Sequence, residues 1–180
     1  MKIRMCVYRL MPVLTFLSAA MCASAPEMKT VSAVDIPRFM GKWYVIACIP
    51  TFIEEDAYNA VESYELAPDG TIRTTFTFND GGFDGPLKKY TPTGFVRESS
   101  SGAAWDMQFI RPFRSEYLVI HLESDYSITV IGRTKRDYVW IMAREPSIPE
   151  TVYQPLLAMI ESRGYDIGRV RRVPQQLQGR

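Results

Sequence analysis

Apolar and polar residues alternate along most of the chain between residues 43 and 144, which is the pattern of half-buried β-strands. Turn signals such as Pro68-Asp69-Gly70 and Asn79-Asp80-Gly81 interrupt this alternation at short intervals. With a weaker stretch at 90–98 included, the pattern predicts about eight strands, at the spacing typical of a sandwich or barrel. Connections this short favour an antiparallel meander. We therefore expect an all-β protein: an eight-stranded antiparallel up-and-down β-barrel.

One helix is predicted after the last strand, at about 149–163. Ser147 is a candidate cap, Pro149 suits the first helical position, and Gly164 provides the stop signal. Pro155 lies inside this segment and removes a backbone donor, which predicts a kink or a late start. The apolar face, which we expect to pack outside the barrel, contains Val152, Leu156, Met159 and Ile160.

The first 25 residues have the layout of a secretory signal. Basic residues precede an apolar run at 10–17, and the small residues Ala23-Ser24-Ala25 end the segment. The alternative is a lipoprotein signal with lipid attached at Cys22, although Met21 departs from the small residue expected before such a cysteine. We predict an exported protein of the periplasm or outer membrane, with residues 26–180 forming one domain.

Composition excludes several classes of protein. A hydrophobic content of 47% excludes wholesale disorder, and a net charge of +1 argues against a nucleic-acid partner. Three cysteines without a CxxC pair, and a single histidine, predict neither a disulfide scaffold nor a metal site; we expect no cofactor. The chain ends in a basic tail for which a solvated end is favoured over contact with acidic headgroups: Arg169, Arg171, Arg172 and Arg180.

Three short motifs, in order and at family spacing, carry a resemblance to a known family. They are Gly41-Lys42-Trp43, Ser124-Asp125-Tyr126 and Arg144 at the end of the last predicted strand. The chain resembles the lipocalin family, in the bacterial outer-membrane branch that is related to apolipoprotein D and to plant temperature-induced lipocalins. The similarity covers roughly residues 35–173.

Strand parity and the resemblance together imply how one end of the barrel closes. Gly41, Trp43 and Arg144 would form this closure, with the Arg144 guanidinium over the Trp43 indole ring. The alternative is that Trp43 is an ordinary core residue and Arg144 an exposed strand end.

The same reasoning predicts an apolar, aromatic cavity wall that suits a lipophilic ligand, although a barrel filled by its own side chains is the alternative. The predicted wall consists of Val45, Ala47, Ile49, Tyr64, Thr74, Phe76, Val96, Trp105, Met107, Phe109, Val119, Val130, Tyr138, Trp140 and Met142. Glu62 and His121 are predicted to point inward, at positions where relatives usually carry small residues. We hypothesise that they orient a ligand headgroup; the alternative is that they bind water near the open mouth.

The resemblance implies binding, storage or transport of a fatty acid or lysophospholipid in the bacterial envelope. We expect a monomer or a homodimer, since Cys48, without an intramolecular partner, would be free or would cross-link two copies. One alternative is an envelope interaction protein that binds no ligand. A second is a lipocalin-type enzyme, which we do not expect because no nucleophile–base pair is recognisable. Cys48 has outward parity, and Glu54-Glu55-Asp56 is interpreted as a solvated rim.

Overall fold

The computed structural model describes residues 27–176. The predicted signal segment with Cys22, and Arg180 of the basic tail, therefore lie outside the described residues. Between residues 27 and 176, no helix combines the length and apolarity needed to cross a membrane.

Strands make up most of the described chain. A short helix, α1 (Ile36–Phe39), precedes the sheet, and a longer helix, α2 (Glu150–Ser162), follows its ninth strand. The strands are β1 (Gly41–Ile49), β2 (Ala57–Leu66), β3 (Ile72–Asp80), β4 (Leu87–Tyr90), β5 (Thr93–Val96), β6 (Ala104–Ile110), β7 (Phe113–Leu122), β8 (Ile128–Gly132), β9 (Val139–Ala143) and β10 (Arg171–Arg172).

The sheet closes on itself. Each strand pairs with its neighbour in an antiparallel ladder, and β9 pairs with β1 from Tyr44↔Ala143 to Ile49↔Val139. Because β4 and β5 both pair with β3, they share one position around the ring, which leaves eight positions. The predicted eight-stranded antiparallel barrel with one C-terminal helix is confirmed. We call the end with the loops at 50–56, 81–86, 111–112 and 133–138 the mouth, and the end beside α1 the closed end.

The carboxyl-terminal segment completes one seam of the barrel. The β1–β2 ladder extends only from Gly41↔Tyr64 to Tyr44↔Val61. Beyond that point β10 pairs with β1, and the amide nitrogen of Gln175 (Nε2) donates to Val45 O at 2.8 Å and Ala60 O at 3.0 Å. The backbone of Arg171 and Arg172 in the predicted basic tail thus belongs to the barrel wall, while their side chains are exposed.

Two apolar cores lie on opposite faces of the sheet. The first fills the barrel, and the second is buried beneath α2, where Tyr153, Leu156 and Ile160 pack on the outer face of the sheet. The helix has Pro149 as its N-cap and no side-chain cap, so the expected capping by Ser147 is wrong. Pro155 lies in the second turn, where its missing N–H removes only one intrahelical bond.

Candidate ligand-binding site

The inner face of the barrel is lined mainly by apolar and aromatic side chains. Strand register determines this face, because side chains that are paired across neighbouring strands point the same way. The buried inner set includes Trp43, Val45, Cys48, Ala60, Tyr64, Ile72, Phe76, Phe78, Trp105, Met107, Tyr117, Val119, Ile131 and Met142.

The closed end is sealed by α1 and the side chain of Arg144. The Arg144 Cζ lies 3.8 Å from the centroid of the Trp43 ring, and Trp43 Nε1 donates to Phe39 O at 2.9 Å. Gly41 adopts φ +93, and a Cβ there would lie 3.4 Å from Arg144 Nη1. A side chain at this position would be strained by the positive φ, which explains the glycine of the motif.

Aromatic rings fill the closed half of the interior. Phe39 lies 4.9 Å from Trp43, 5.8 Å from Tyr64 and 5.4 Å from Trp105 between ring centroids. Trp105 stacks on Tyr117 at 5.0 Å. Contacts of this kind stabilise by about 0.5–1.5 kcal/mol each beyond the burial of area. A ligand chain could therefore enter the closed half only if these rings moved.

A polar cluster lies within the aromatic layer. Tyr64 donates its hydroxyl proton to Glu62 Oε2, so Tyr117 is the donor in the 2.5 Å contact between the two tyrosine hydroxyls. Burial raises the pKa of Glu62 to about 8, with a smaller contribution from the charge of Glu54. Glu62 is therefore mostly protonated at neutral pH. The Thr74 hydroxyl, one strand away opposite Tyr64, is buried and makes no hydrogen bond to the described residues.

The 50–56 loop turns its first acidic residue, Glu54, into the mouth. Glu54 is only 5% exposed; its Oε1 accepts from Trp140 Nε1 at 3.1 Å and from the Thr51 N–H at 3.0 Å. Burial raises the pKa of this carboxyl. The interpretation of 54–56 as a solvated rim is therefore wrong for Glu54, although Glu55 and Asp56 are exposed.

A cavity of about 180 Å³ lies where the loop, the end of β1 and the carboxyl-terminal segment meet. Cys48, Glu54, Tyr58 and Val173 are among its lining residues. Its volume is below the roughly 300–1,000 Å³ of most small-molecule sites. Admitting a long chain therefore requires that the loop or the inner rings shift.

A β-bulge reverses the predicted parity at the end of β1. The register with β9 shifts between Val45 and Ala47, so Cys48 pairs with the inward Trp140. Ala47 and Ile49 consequently pack beneath α2 rather than in the cavity wall. Burial raises the pKa of the Cys48 thiol well above its ordinary value, with the Glu54 charge acting in the same direction. Such a thiol is a poor nucleophile at neutral pH.

Two further bulges correct the predictions on β6 and β7. The β7–β8 register shifts between Val119 and His121, which pairs His121 with the outward Val130 and not with an inward residue. His121 Nε2 lies 3.1 Å from Glu123 Oε1, at the surface. On β6 the register shifts between Met107 and Ile110, and Phe109 is 48% exposed.

Two remaining wall residues also lie elsewhere. Val130 packs beneath α2. All five residues of β8 are buried, so the apolar run does not indicate which of its side chains face the interior. Tyr138 precedes β9 and packs against the same outer core, with the Arg133 Cζ 5.2 Å from its ring centroid. The other predicted wall positions face the interior or its edge: Val45, Tyr64, Thr74, Phe76, Val96, Trp105, Met107, Val119, Trp140 and Met142.

Several residues of the interior are not part of the predicted cavity wall. Tyr117 and Phe78 share a strand face with the predicted Val119 and Phe76, so alternation alone was sufficient to find them. No comparable signal existed for Glu54, because an acidic loop residue is normally solvated.

Comparison with known proteins agrees with this architecture. Residues 34–175 match the model of the lipocalin-like domain. The chain is 31% identical to temperature-induced lipocalin-1 of Arabidopsis thaliana, over 83% of each chain. It is 29% identical to the outer membrane lipoprotein Blc of Escherichia coli K12, over 89% of this chain and 94% of that one.

Comparison with a solved structure shows the same fold. Insecticyanin from the tobacco hornworm Manduca sexta superposes with a TM-score of 0.64 at 14% identity, over 83% of this chain and 85% of that one. The resemblance inferred from the three motifs is confirmed: the chain belongs to the lipocalin-like domain family.

Proposed function

We propose that this protein binds a single-chain amphiphile, such as a fatty acid or a lysophospholipid, inside its barrel and in the cell envelope of a bacterium. The observation that carries the proposal is the inner face itself, to which each of the strands β1–β9 contributes apolar or aromatic side chains, and at whose mouth Glu54 of the 50–56 loop contacts Trp140. Similarity to an outer membrane lipoprotein over almost the whole chain supports the envelope as its location.

The shape of the interior favours an extended chain over a bulky ring. Aromatic residues occupy the closed half, and the space near the mouth is narrow. Each CH₂ group transferred from water contributes about 0.8 kcal/mol, so a long acyl chain gains roughly 10 kcal/mol before the cost of ordering it. That gain is large enough to offset the free-energy cost of moving the 50–56 loop. The contacts that would be lost are the hydrogen bonds that Glu54 accepts from Trp140 and Thr51.

The polar cluster is the part of the interior that suits a headgroup, which would reach it when the surrounding aromatic rings move. The protonated Glu62 carboxyl does not repel an anionic group, and the unpartnered Thr74 hydroxyl offers a hydrogen bond. His121, which the sequence predicts beside Glu62 at the headgroup, lies on the outer face of the barrel and is excluded from this role.

Replacing Ala60 with Trp is expected to weaken binding of a fluorescent fatty acid at least about tenfold, because the ring fills the interior near the mouth. Ala60 is 1% exposed and belongs to the inner core. Titration of the purified full chain would measure the dissociation constant. The matched control is Thr75→Trp on the outer face of β3, which should bind as the wild type does. Equal affinity in A60W and the wild type would contradict an interior site, provided that both are folded.

Replacing Thr74 with Val separates a headgroup contact from a structural role. Removing a buried unpartnered hydroxyl should leave the protein as stable as before or slightly more so. Affinity for a fatty acid should fall about fivefold, which is the loss of one hydrogen bond, while affinity for an apolar fluorescent probe should not change. Calorimetric titration would measure both, with Thr77→Val on the outer face as the control. Unchanged fatty-acid affinity in T74V would place the headgroup elsewhere.

A further inference from the structure

Exposed large apolar side chains are concentrated at the mouth. Among the described residues, Leu66 is the one member of this class at the closed end. The mouth has Phe52 (82% exposed), Phe83, Leu87, Phe109, Ile110 and Phe113 (75% exposed). We call these six residues the apolar rim.

The apolar rim is built from three separate corners of the barrel. Phe52 lies in the 50–56 loop, Phe83 and Leu87 flank the start of β4, and the remaining three flank the β6–β7 turn. Phe83 is anchored by an edge contact of 5.1 Å with the Tyr58 ring. Because Ile110 and Phe113 are more than two-thirds exposed, they project into solvent instead of packing into a flat patch.

Positive charge accompanies the apolar rim on one side of the mouth. The segments 87–89 and 109–114 contain Lys88, Lys89, Arg111 and Arg114 and no acidic residue. These segments are neighbours, since β4 and β5 share the position next to β6. The acids of the mouth lie in the 50–56, 81–86 and 133–138 loops, and Asp137 of the last loop pairs with Arg133 at 3.2 Å. Two acids are close to segment 87–89: Asp80, which contacts Lys88 at 3.6 Å, and Asp84, three residues before Leu87. The Arg114 guanidinium lies over the Phe95 ring at 3.7 Å, on the outer wall of the barrel.

We propose that this side of the mouth docks on an anionic lipid surface. Leu87, Ile110 and Phe113 would enter the interfacial region, and the exposed Lys89 and Arg111 would lie at the level of the lipid phosphates. This combination of projecting apolar side chains and cations is what an interfacial anchor requires. A second copy of the chain fits less well, because a twofold contact of the same patch would oppose like charges. Docking would place the mouth against the source of amphiphiles, but it does not depend on what fills the barrel.

Flotation of the full chain with vesicles tests the proposal. With equal parts phosphatidylglycerol and phosphatidylcholine, the Ile110→Ser/Phe113→Ser variant should lose at least about tenfold in partitioning. Lys89→Gln/Arg111→Gln should lose about fivefold per cation removed, and only on anionic vesicles. The controls are Leu66→Ser and Arg73→Gln, which remove an exposed apolar side chain and an exposed cation at the closed end. Both controls should bind as the wild type does.

Depth of insertion provides a second measurement. A Trp introduced by Phe113→Trp should be quenched by lipids brominated on their acyl chains, whereas one introduced by Leu66→Trp should not. Equal quenching at the two positions, or unchanged partitioning of the mouth variants, would overturn the proposal. It would also be overturned if the wild type sedimented as a dimer that I110S/F113S converts to a monomer without any change in vesicle binding.

Discussion

Glu62→Gln is expected to leave the free energy of unfolding nearly unchanged near pH 5 and to raise it above the wild-type value by a few kcal/mol near pH 9. In the folded protein the pKa of Glu62 is raised to about 8 from its ordinary 4.5, mainly by burial. Between those values the folded state holds a proton that the unfolded chain has released, so wild-type stability falls as pH rises from about 4.5 to about 8. Above that range the buried carboxylate imposes its full penalty. Glutamine has the shape of the neutral acid and does not titrate.

Urea unfolding at a series of pH values, followed by tryptophan fluorescence, would measure this difference. Glu54 also has a raised pKa, so the wild type and the variant should share part of the pH dependence, and their difference isolates Glu62. The control is Glu65→Gln on the same strand, whose exposed carboxylate pairs with Arg73 at 3.7 Å at the surface. If the curves for E62Q and the wild type run parallel from pH 5 to pH 9, Glu62 is not held neutral by burial.

The fold follows from the sequence because its signals are redundant. Alternation over several strands, turn residues at short intervals and one late amphipathic stretch all favour the same closed meander. An error at any single strand leaves that conclusion intact. The sequence has no comparable signal for the seam between β1 and β2, because residues 171–176 resemble an ordinary polar chain end. In the structure, Gln175 of this segment donates hydrogen bonds to both strands.

The site depends instead on details that alternation cannot supply. One extra residue in a strand reverses the orientation of every side chain beyond it, which is why Ala47, Ile49 and His121 were assigned to the wrong face. The same reversal placed Cys48 outside when it lies inside. The burial of Glu54 could not be predicted for a different reason, because it depends on Trp140, which is 86 residues away in sequence. The inward orientation of Glu62 is predicted correctly because Glu62 pairs with Trp43, which lies before the bulge in β1.

Replacing Arg144 with Ala is expected to lower the free energy of unfolding by about 3 kcal/mol, because one guanidinium holds the closed end together. Its Nη1 donates to Lys42 O at 2.7 Å, and its Nη2 donates to Met40 O at 2.9 Å and Phe39 O at 3.0 Å. The same group covers the Trp43 ring. Its loss leaves the carbonyls at the end of α1 without their charged donor and exposes the indole, so α1 should separate from the barrel before the strands unfold.

Urea unfolding would give the loss of stability, and hydrogen exchange of residues 36–40 would show whether it is localised at α1. Arg144→Lys is the matched variant: it keeps the charge but lacks the planar fork, so it should restore only part of the stability. Arg73→Ala, which removes an exposed ion pair, should cost about 1 kcal/mol or less. A loss in R144A no larger than in R73A, or exchange that increases equally in all strands, would mean that the Arg144–Trp43 contact covers the closed end without stabilising it.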